Sequence, residues 1–250
     1  MRLLTHLTFF ACFALCMLVA PAAHAGKFDI SPVSLTLSGK SASSTLVITN
    51  RSPEELRFHV TAYSWRQRPD GEMILEPTKD IVFFPAMMTV KPNGSRQIRV
   101  GAKVRATDTE RTYRIFVQEL PPLARSTEEA TNTVRMLTKM GIPVFLEPAS
   151  PKANPELTTP KVTGREVSFS LHNRGNSRMV VQKCELQALR GGKPILTEQL
   201  SGWYILAGGR RDYTATLPED ACKQADSLRI TVETDRGGTR TSLPELRCGS

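Results

Sequence analysis

Thr133-Val134-Arg135-Met136-Leu137-Thr138-Lys139-Met140, running on into Gly141-Ile142-Pro143-Val144-Phe145-Leu146-Glu147-Pro148, is the stretch that decides how the chain is read. In extended backbone, successive side chains point to opposite faces. Val134, Met136, Thr138 and Met140 therefore line one side, and Arg135, Leu137 and Lys139 line the other. Turn formers and charges from Pro121 to Glu129 precede the stretch, and Pro148, Pro151 and Pro155 close it. It reads as a strand lying between a long loop and a domain boundary. Periodicity alone gives an ordinary sandwich strand as the simpler reading. The sharper one is a strand whose apolar face serves another molecule.

The same two-residue period extends upstream, with turn signals about every ten residues and no sustained helical spacing. Val33, Leu35 and Leu37 alternate with Ser34, Thr36 and Ser38, and Thr45 to Thr49 follows, ended by Asn50-Arg51-Ser52-Pro53. Leu56 to Trp65 sets Phe58, Val60 and Ala62 against His59, Thr61, Tyr63 and Trp65. Ile81 to Phe84, Gln97 to Val100 and Tyr113 to Leu120 complete about seven strands before the loop. That size and spacing predicts an immunoglobulin-like β-sandwich. Beyond Pro148, the proline-rich segment to Pro160 reads as a linker. A second set of short strands follows at Glu166–Leu171, Met179–Leu189, Trp203–Leu206, Tyr213–Leu217 and Leu228–Thr234. The fold class expected is all-β, with two sandwiches.

The first 25 residues read as a signal peptide: Arg2 is basic, Leu7 to Ala20 is apolar, and Ala23-His24-Ala25 fits a signal-peptidase site. The apolar run is shorter than the roughly 20 residues a spanning helix needs, so an exported chain starting at Gly26 with no stable membrane insertion is expected. The domains are then 1–25 signal, 26–148 first sandwich and 149–250 second sandwich. Export leaves Cys184, Cys222 and Cys248, of which one pair is expected to close in an oxidising compartment. Both Cys222 with Cys248 and Cys184 with Cys222 remain open. There is no CxxC or mixed Cys/His cluster, so no metal site is expected.

Removing Arg2 leaves 32 basic residues against 24 acidic ones, a net charge of +8. This balance suits an acidic partner. Arg96, Arg99, Lys103, Arg105, Arg111 and Arg114 form the densest basic region, but without the interleaved aromatics of a single-strand platform, and no nucleic-acid partner is expected. Signal cleavage leaves only His59 and His172, and no GxSxG elbow, P-loop, dinucleotide fingerprint or HExxH occurs. Neither a catalytic set nor a cofactor is expected. Asn50-Arg51-Ser52 and Asn93-Gly94-Ser95 match the glycosylation pattern but read as turns.

Several motifs occur together and in order: Leu46-Val47-Ile48-Thr49-Asn50, Trp65, Leu75-Glu76-Pro77-Thr78, Phe84-Pro85, Lys91-Pro92-Asn93-Gly94, Gln97-Ile98-Arg99-Val100, Tyr113-Arg114, Glu119-Leu120-Pro121 and Ile142-Pro143-Val144-Phe145. In this order and spacing the chain resembles, over about residues 28 to 148, the first domain of PapD-like periplasmic pilus chaperones of the chaperone–usher system, and its departures look like the archaic branch. The second half keeps Asn173-Arg174-Gly175-Asn176 and Asp235-Arg236-Gly237-Gly238.

The resemblance implies two immunoglobulin-like domains meeting like a boomerang, pilus or fimbrial subunits as clients, and an outer-membrane usher as second partner. It implies no cofactor or nucleotide. It makes Thr133–Met140 a donor strand with Val134, Met136, Thr138 and Met140 at its alternating positions, lent to a subunit that lacks one strand, which is a known form of strand addition. The family's two basic groups that grip the subunit's terminal carboxylate fall here at Ser34 and Pro143. Lys139, Arg114 and Arg99 are therefore the candidate anchors. The family's interdomain acid positions fall at Glu119 and Asp235, and the arginine that would pair with them falls at Glu147. The rival classes are a secreted structural or adhesive β-sandwich and a cryptic exported hydrolase.

Overall fold

The structure, a computed structural model, describes residues 27–123 and 136–246. The signal segment, Val134 and Cys248 lie outside these residues. The first half forms β1 (Phe28–Ser31), β2 (Leu35–Leu37), β3 (Ser43–Asn50), β4 (Leu56–Gln67), β5 (Met73–Pro77), β6 (Ile81–Phe84), β7 (Met87–Val90), β8 (Ser95–Ala102), β9 (Arg111–Leu120) and β10 (Lys139–Leu146). The second half forms β11 (Pro155–Leu157), β12 (Lys161–Thr163), β13 (Glu166–Asn173), β14 (Met179–Arg190), β15 (Lys193–Leu200), β16 (Tyr204–Ile205), β17 (Arg210–Thr216), the short helix α1 (Glu219–Gln224), β18 (Ser227–Thr234) and β19 (Gly237–Leu243).

Two sheets make the first sandwich. One runs β1-β3-β8-β6, and the other runs β2-β10-β9-β4-β5 with β7 also on β4. The strand expected from Val33 to Ser38 is shorter, Leu35–Leu37, and a further strand precedes it: β1 pairs antiparallel with β3, and the chain then crosses so that β2 pairs parallel with β10. Val33 sits in the crossing and is 73% exposed, whereas Leu35 and Leu37 are buried. Between the sheets, alternate side chains interlock: Leu46 and Ile48 from β3, Phe58 and Val60 from β4, Ile98 and Val100 from β8, Ile115 and Val117 from β9, and Ile142 and Val144 from β10. The hydrophobic alternation thus predicts the core correctly, because period two puts every second side chain out of water.

The second sandwich pairs β11-β13-β12, with β17 on β13, against β15-β14-β18-β19, with β16 on β14. No strand pairing among the described residues joins the two sandwiches. The segment read as a linker contains β11, which pairs with β13 at Pro155–Leu157. The edge strands β15 and β19 and helix α1 escaped the sequence reading, because their polar-rich alternation and six-residue length give little periodic signal.

A buried asparagine closes the same corner in each sandwich. Asn50 Nδ2 donates to the carbonyls of Glu54, Val90 and Lys91 at 2.7, 3.0 and 3.2 Å, while its Oδ1 accepts from Ser52 N at 2.8 Å. Asn173 Nδ2 donates to the carbonyls of Ser177, Ile205 and Leu206 at 2.8, 3.1 and 3.2 Å, while its Oδ1 accepts from Gly175 N at 3.0 Å. Both residues are 0% exposed, and each satisfies backbone groups that a turn would otherwise leave unpaired. Burial also removes Asn50 from any role as a glycan acceptor. Truncating either side chain strands several buried carbonyls and an N–H. Asn173→Ala is expected to lower stability by about 3 kcal/mol in chemical denaturation, and a loss under about 0.5 kcal/mol would contradict this role.

The cysteines separate by environment. Cys222 is disulfide-bonded. Cys184 is a free, fully buried thiol whose pKa burial pushes up to about 12. It stays protonated and packs as a small apolar group. Of the two pairings the sequence left open, Cys184 with Cys222 is removed.

Candidate functional site

The focal stretch is placed by parity. In β10 the even-numbered residues Ile142, Val144 and Leu146 face the core and are at most 2% exposed. Met140, next on the same face, packs against the rim of that core and is only partly buried. Beyond it, Thr138 is exposed and Met136 is 81% exposed. The apolar alternation that fills this chain's own core therefore continues past the end of that core. The strand begins at Lys139, six residues later than the sequence pattern suggests. Met136 and Thr138 precede it and belong to no strand of this chain.

β10 also has an open side. Its ladder with β9 runs the full length from Lys139 to Leu146, but β2 covers only Val144 to Leu146 on the other flank. Among the described residues, Lys139 to Pro143 have no strand neighbour on that flank. A half-open edge of this kind offers main-chain groups to an added strand. Pro143 lies within the open part, where a missing N–H is tolerated. The approach to the strand is pinned by Glu119, whose N–H donates to the Thr138 carbonyl at 2.8 Å and whose Oε2 accepts from Thr138 N at 3.2 Å. Lys27 Nζ lies 3.7 Å from the same carboxylate. Glu119 is therefore an acid of the first sandwich, contrary to its expected interdomain role.

The odd-numbered face of β10 points away from the core. The Phe116 ring lies over Gly141, where a Cβ would come within 2.8 Å of it, so only glycine lets the ring settle there. Lys139 Nζ sits 4.6 Å from the centre of that ring, and Tyr63 meets the ring edge to face at 5.6 Å. Arg114 lies directly across the ladder from Pro143, on the same face. Its guanidinium carbon lies 5.0 and 5.2 Å from the ring centres of Trp65 and Trp203. Burial is the main influence on Arg114 and lowers its pKa. No acidic group pairs with it among the described residues. Three buried donors on this face, Arg114 Nε, Trp65 Nε1 and Gln67 Nε2, have no acceptor there. Arg114 and Lys139 are thus brought to one face of the sheet that contains β10. Arg99 is not, since it lies on β8 in the opposite sheet, exposed and 3.4 Å from Ser43 Oγ.

Trp65 carries the parity of the polar side of β4, and it does lie opposite Phe58 and Val60. It is nonetheless 1% exposed, because the second half covers it. Trp65, Phe145 and Leu206 form an apolar seam with Trp203 and Tyr204, and Phe145 and Tyr204 have ring centres 5.3 Å apart. Charges flank the seam. Arg178 Nη1 is 2.5 Å from Glu110 Oε2 and 3.1 Å from Glu147 Oε1, and Arg236 Nη2 is 4.0 Å from Glu147. Where the resemblance leads to an arginine, this chain has the acid Glu147, and the basic partners come from the second half. Asp235 binds its own half, accepting from Val180 N at 2.6 Å. Sequence reasoning missed Arg178. The signal available was an acid at 147, which calls for a cation opposite.

These features describe two sandwiches with an open strand edge, an overhanging apolar face and a basic, aromatic seam. The chain matches the family described as pili and flagellar-assembly chaperone, PapD N-terminal domain, over residues 27–152, and it belongs to that family. No curated protein matches it in sequence. Among solved structures, the CsuC–CsuE chaperone–tip adhesion subunit complex from the archaic chaperone–usher Csu pili of Acinetobacter baumannii is similar at 15% identity and TM-score 0.55, over 87% of this chain and 97% of that one. The Pseudomonas aeruginosa CupB2 chaperone is similar at 15% identity and TM-score 0.54, over 87% and 99%. The Salmonella enterica SafA pilin–SafB chaperone complex is similar at 16% identity and TM-score 0.55, over 89% and 99%. At these identities the likeness shows a shared fold.

The Glu110 side chain is fully buried. Desolvation is the largest influence on its carboxyl and raises its pKa above the usual carboxylate value, against the lowering by Arg178. An acid whose pKa is raised by folding adds stability that is complete below its unfolded pKa and is lost as pH rises through the folded value. Wild type should therefore gain stability relative to Glu110→Gln as pH falls from neutrality into the carboxylate range, measured by denaturation of both proteins across that range. A difference that stays constant with pH would contradict the assignment.

Proposed function

We propose that the chain is a periplasmic chaperone, exported by residues 1–25, that binds pilus or fimbrial subunits by lending them the segment from Thr133 to Met140 and passes them to an outer-membrane usher. Residues 26–148 form the domain that donates, and residues 149–250 form the second sandwich. The single observation behind this reading is the even-numbered face of β10, which is satisfied by the chain's own core up to Val144 and Ile142 and then runs on through Met140 to an 81% exposed Met136.

A subunit short of one strand has an open groove and two unpaired edges, and it aggregates through them. An added strand supplies main-chain partners, and its alternate side chains enter the groove. Burying Val134, Met136 and the uncovered part of Met140 would contribute roughly 5 kcal/mol before ordering costs, whereas each added main-chain hydrogen bond nets about 1. Side chains therefore set much of the affinity. The pliant methionines accept grooves of more than one shape.

Arg114 is the favoured partner for the subunit's terminal carboxylate. It is held on β9, one strand in from the open edge and across from Pro143, with its Nε unpaired among the described residues. Lys139, on the same face, is the second candidate. The reaction is exchange of one strand for another, so the protein is not an enzyme and needs neither cofactor nor nucleotide.

Met136→Asp should abolish rescue of a co-expressed subunit in periplasmic extracts while the chaperone's own melting transition stays within a few degrees of wild type. A normal yield of soluble subunit would count against strand donation. Arg114→Ala or Lys139→Ala should reduce the yield of chaperone–subunit complex, while Ser34→Ala leaves it unchanged. Equal yields from all three variants would remove both anchors.

A further inference from the structure

We propose that Arg178 is a positioning residue for the lent segment: one side chain from the second sandwich ties together three neighbouring strands of the first. Its Nη1 bonds Glu110 Oε2, immediately before β9, at 2.5 Å, and Glu147 Oε1, immediately after β10, at 3.1 Å. Its Nη2 donates to Thr36 Oγ1, in the middle of β2, at 3.2 Å. Its Cζ lies 3.7 Å from the ring centre of Phe145 in β10. Its own backbone N–H donates to Glu110 Oε1 at 3.0 Å. The order of strands in the sheet is β2-β10-β9, so the contacts bracket β10 from both sides at one end.

The need for such a tie follows from the open flank. From Lys139 to Pro143, β10 pairs among the described residues with β9 alone, and β2 adds three residue pairs at the far end. A strand ladder supported on one side twists and frays from its free end. The direction of the segment beyond Met140 then depends on how firmly the other end is fixed. Arg178 fixes it at the last pairs of the ladder, against Phe145 and against Glu147 just beyond Leu146.

The group needed here is a guanidinium. A planar, forked donor bonds two carboxylates and a hydroxyl while its face lies on an aromatic ring, whereas an ammonium is a compact point charge without that geometry. Arg236 is no substitute, since among the described residues it reaches Glu147 at 4.0 Å but neither Glu110 nor Thr36, lies closer to Asp235 at 3.6 Å, and is 39% exposed. The second sandwich therefore acts as a brace for the strand that the first one lends. This use rests on the strand-donation reading, but the brace itself is a property of the unbound protein and can be measured without a client.

Amide hydrogen exchange on the unbound full chain tests it directly. Arg178→Ala should speed exchange of the β10 amides from Lys139 to Leu146 about tenfold relative to the amides of β3 and β8 in the same sandwich. Arg178→Lys should give an intermediate value, and Arg236→Ala should match wild type. The half-life of the complex with a purified pilin subunit should shorten several-fold for Arg178→Ala and less for Arg178→Lys. Unchanged β10 exchange in Arg178→Ala would overturn the proposal. So would equal acceleration in all strands, which marks general destabilisation, or faster β10 exchange with an undiminished complex half-life. Met136→Asp in the same binding assay keeps the two claims apart. If that variant also holds the subunit normally, strand donation has failed, while the exchange data still decide whether Arg178 braces β10.

Discussion

A strand has two faces and only one register, and this structure depends on how β10 uses both. Its even-numbered side chains fill the first sandwich, and on its odd-numbered face Phe145 meets the second. Because the side-chain period is two, sliding the strand by one residue would exchange the faces, driving Glu147 toward the core and Val144 toward the seam. The ladder with β9, the glycine at 141 under the Phe116 ring and the burial of Phe145 all enforce the same register. Once the register is set, Met136 and Thr138 have no place in this molecule's own interior. The same constraint that builds the sandwich leaves an apolar overhang.

The second sandwich acquires a role from this arrangement. It buries Trp65 and Phe145, places Trp203 against Arg114 and supplies Arg178 to the acids at the ends of β9 and β10. The buried ion pairs are weak evidence for net stability, since desolvation offsets much of the attraction. Glu110 illustrates this, with burial outweighing the arginine beside it. What such a network does supply is geometry: removing one member leaves the others buried and uncompensated, so the docked arrangement is narrowly defined.

Much of the fold could be read from residues. The alternation at Leu46–Ile48, Phe58–Val60 and Ile115–Val117 reports a half-buried sheet directly, and turn formers mark its corners. The misses have physical causes. Val33 continues an apolar alternation but falls where the chain changes sheets, which pattern alone does not reveal. Trp65 carries the parity of an outward face and is buried by the other half of the molecule, a contact that no local signal encodes. β15 and β19 are edge strands with mostly polar outer faces. At the site, Met136 and Met140 were recognisable from their spacing. Arg114 was one of several basic residues until the ladder placed it opposite Pro143. Arg178, in a loop-like stretch after Asn173-Arg174-Gly175-Asn176, offered no periodicity at all.

The charge inversion at Glu147 carries a general lesson about transferring a family's residues one by one. Position 147 holds an acid where an arginine is expected, and the acid expected to pair with that arginine, Glu119, is bound within the first sandwich to Thr138 and Lys27. Interdomain pairing nevertheless persists, with its signs exchanged and its cations supplied by Arg178 and Arg236. An ion-pair network is specified by complementarity, so its members can move and change sign together. The central claim remains the overhang of β10. The most direct measurement of it is a crystal structure of the protein bound to a pilin subunit. The account predicts that residues 133 to 140 form a strand within the subunit's sheet, with the Val134, Met136 and Thr138 side chains inside its groove. A subunit docked elsewhere, with Met136 still exposed to solvent, would contradict it.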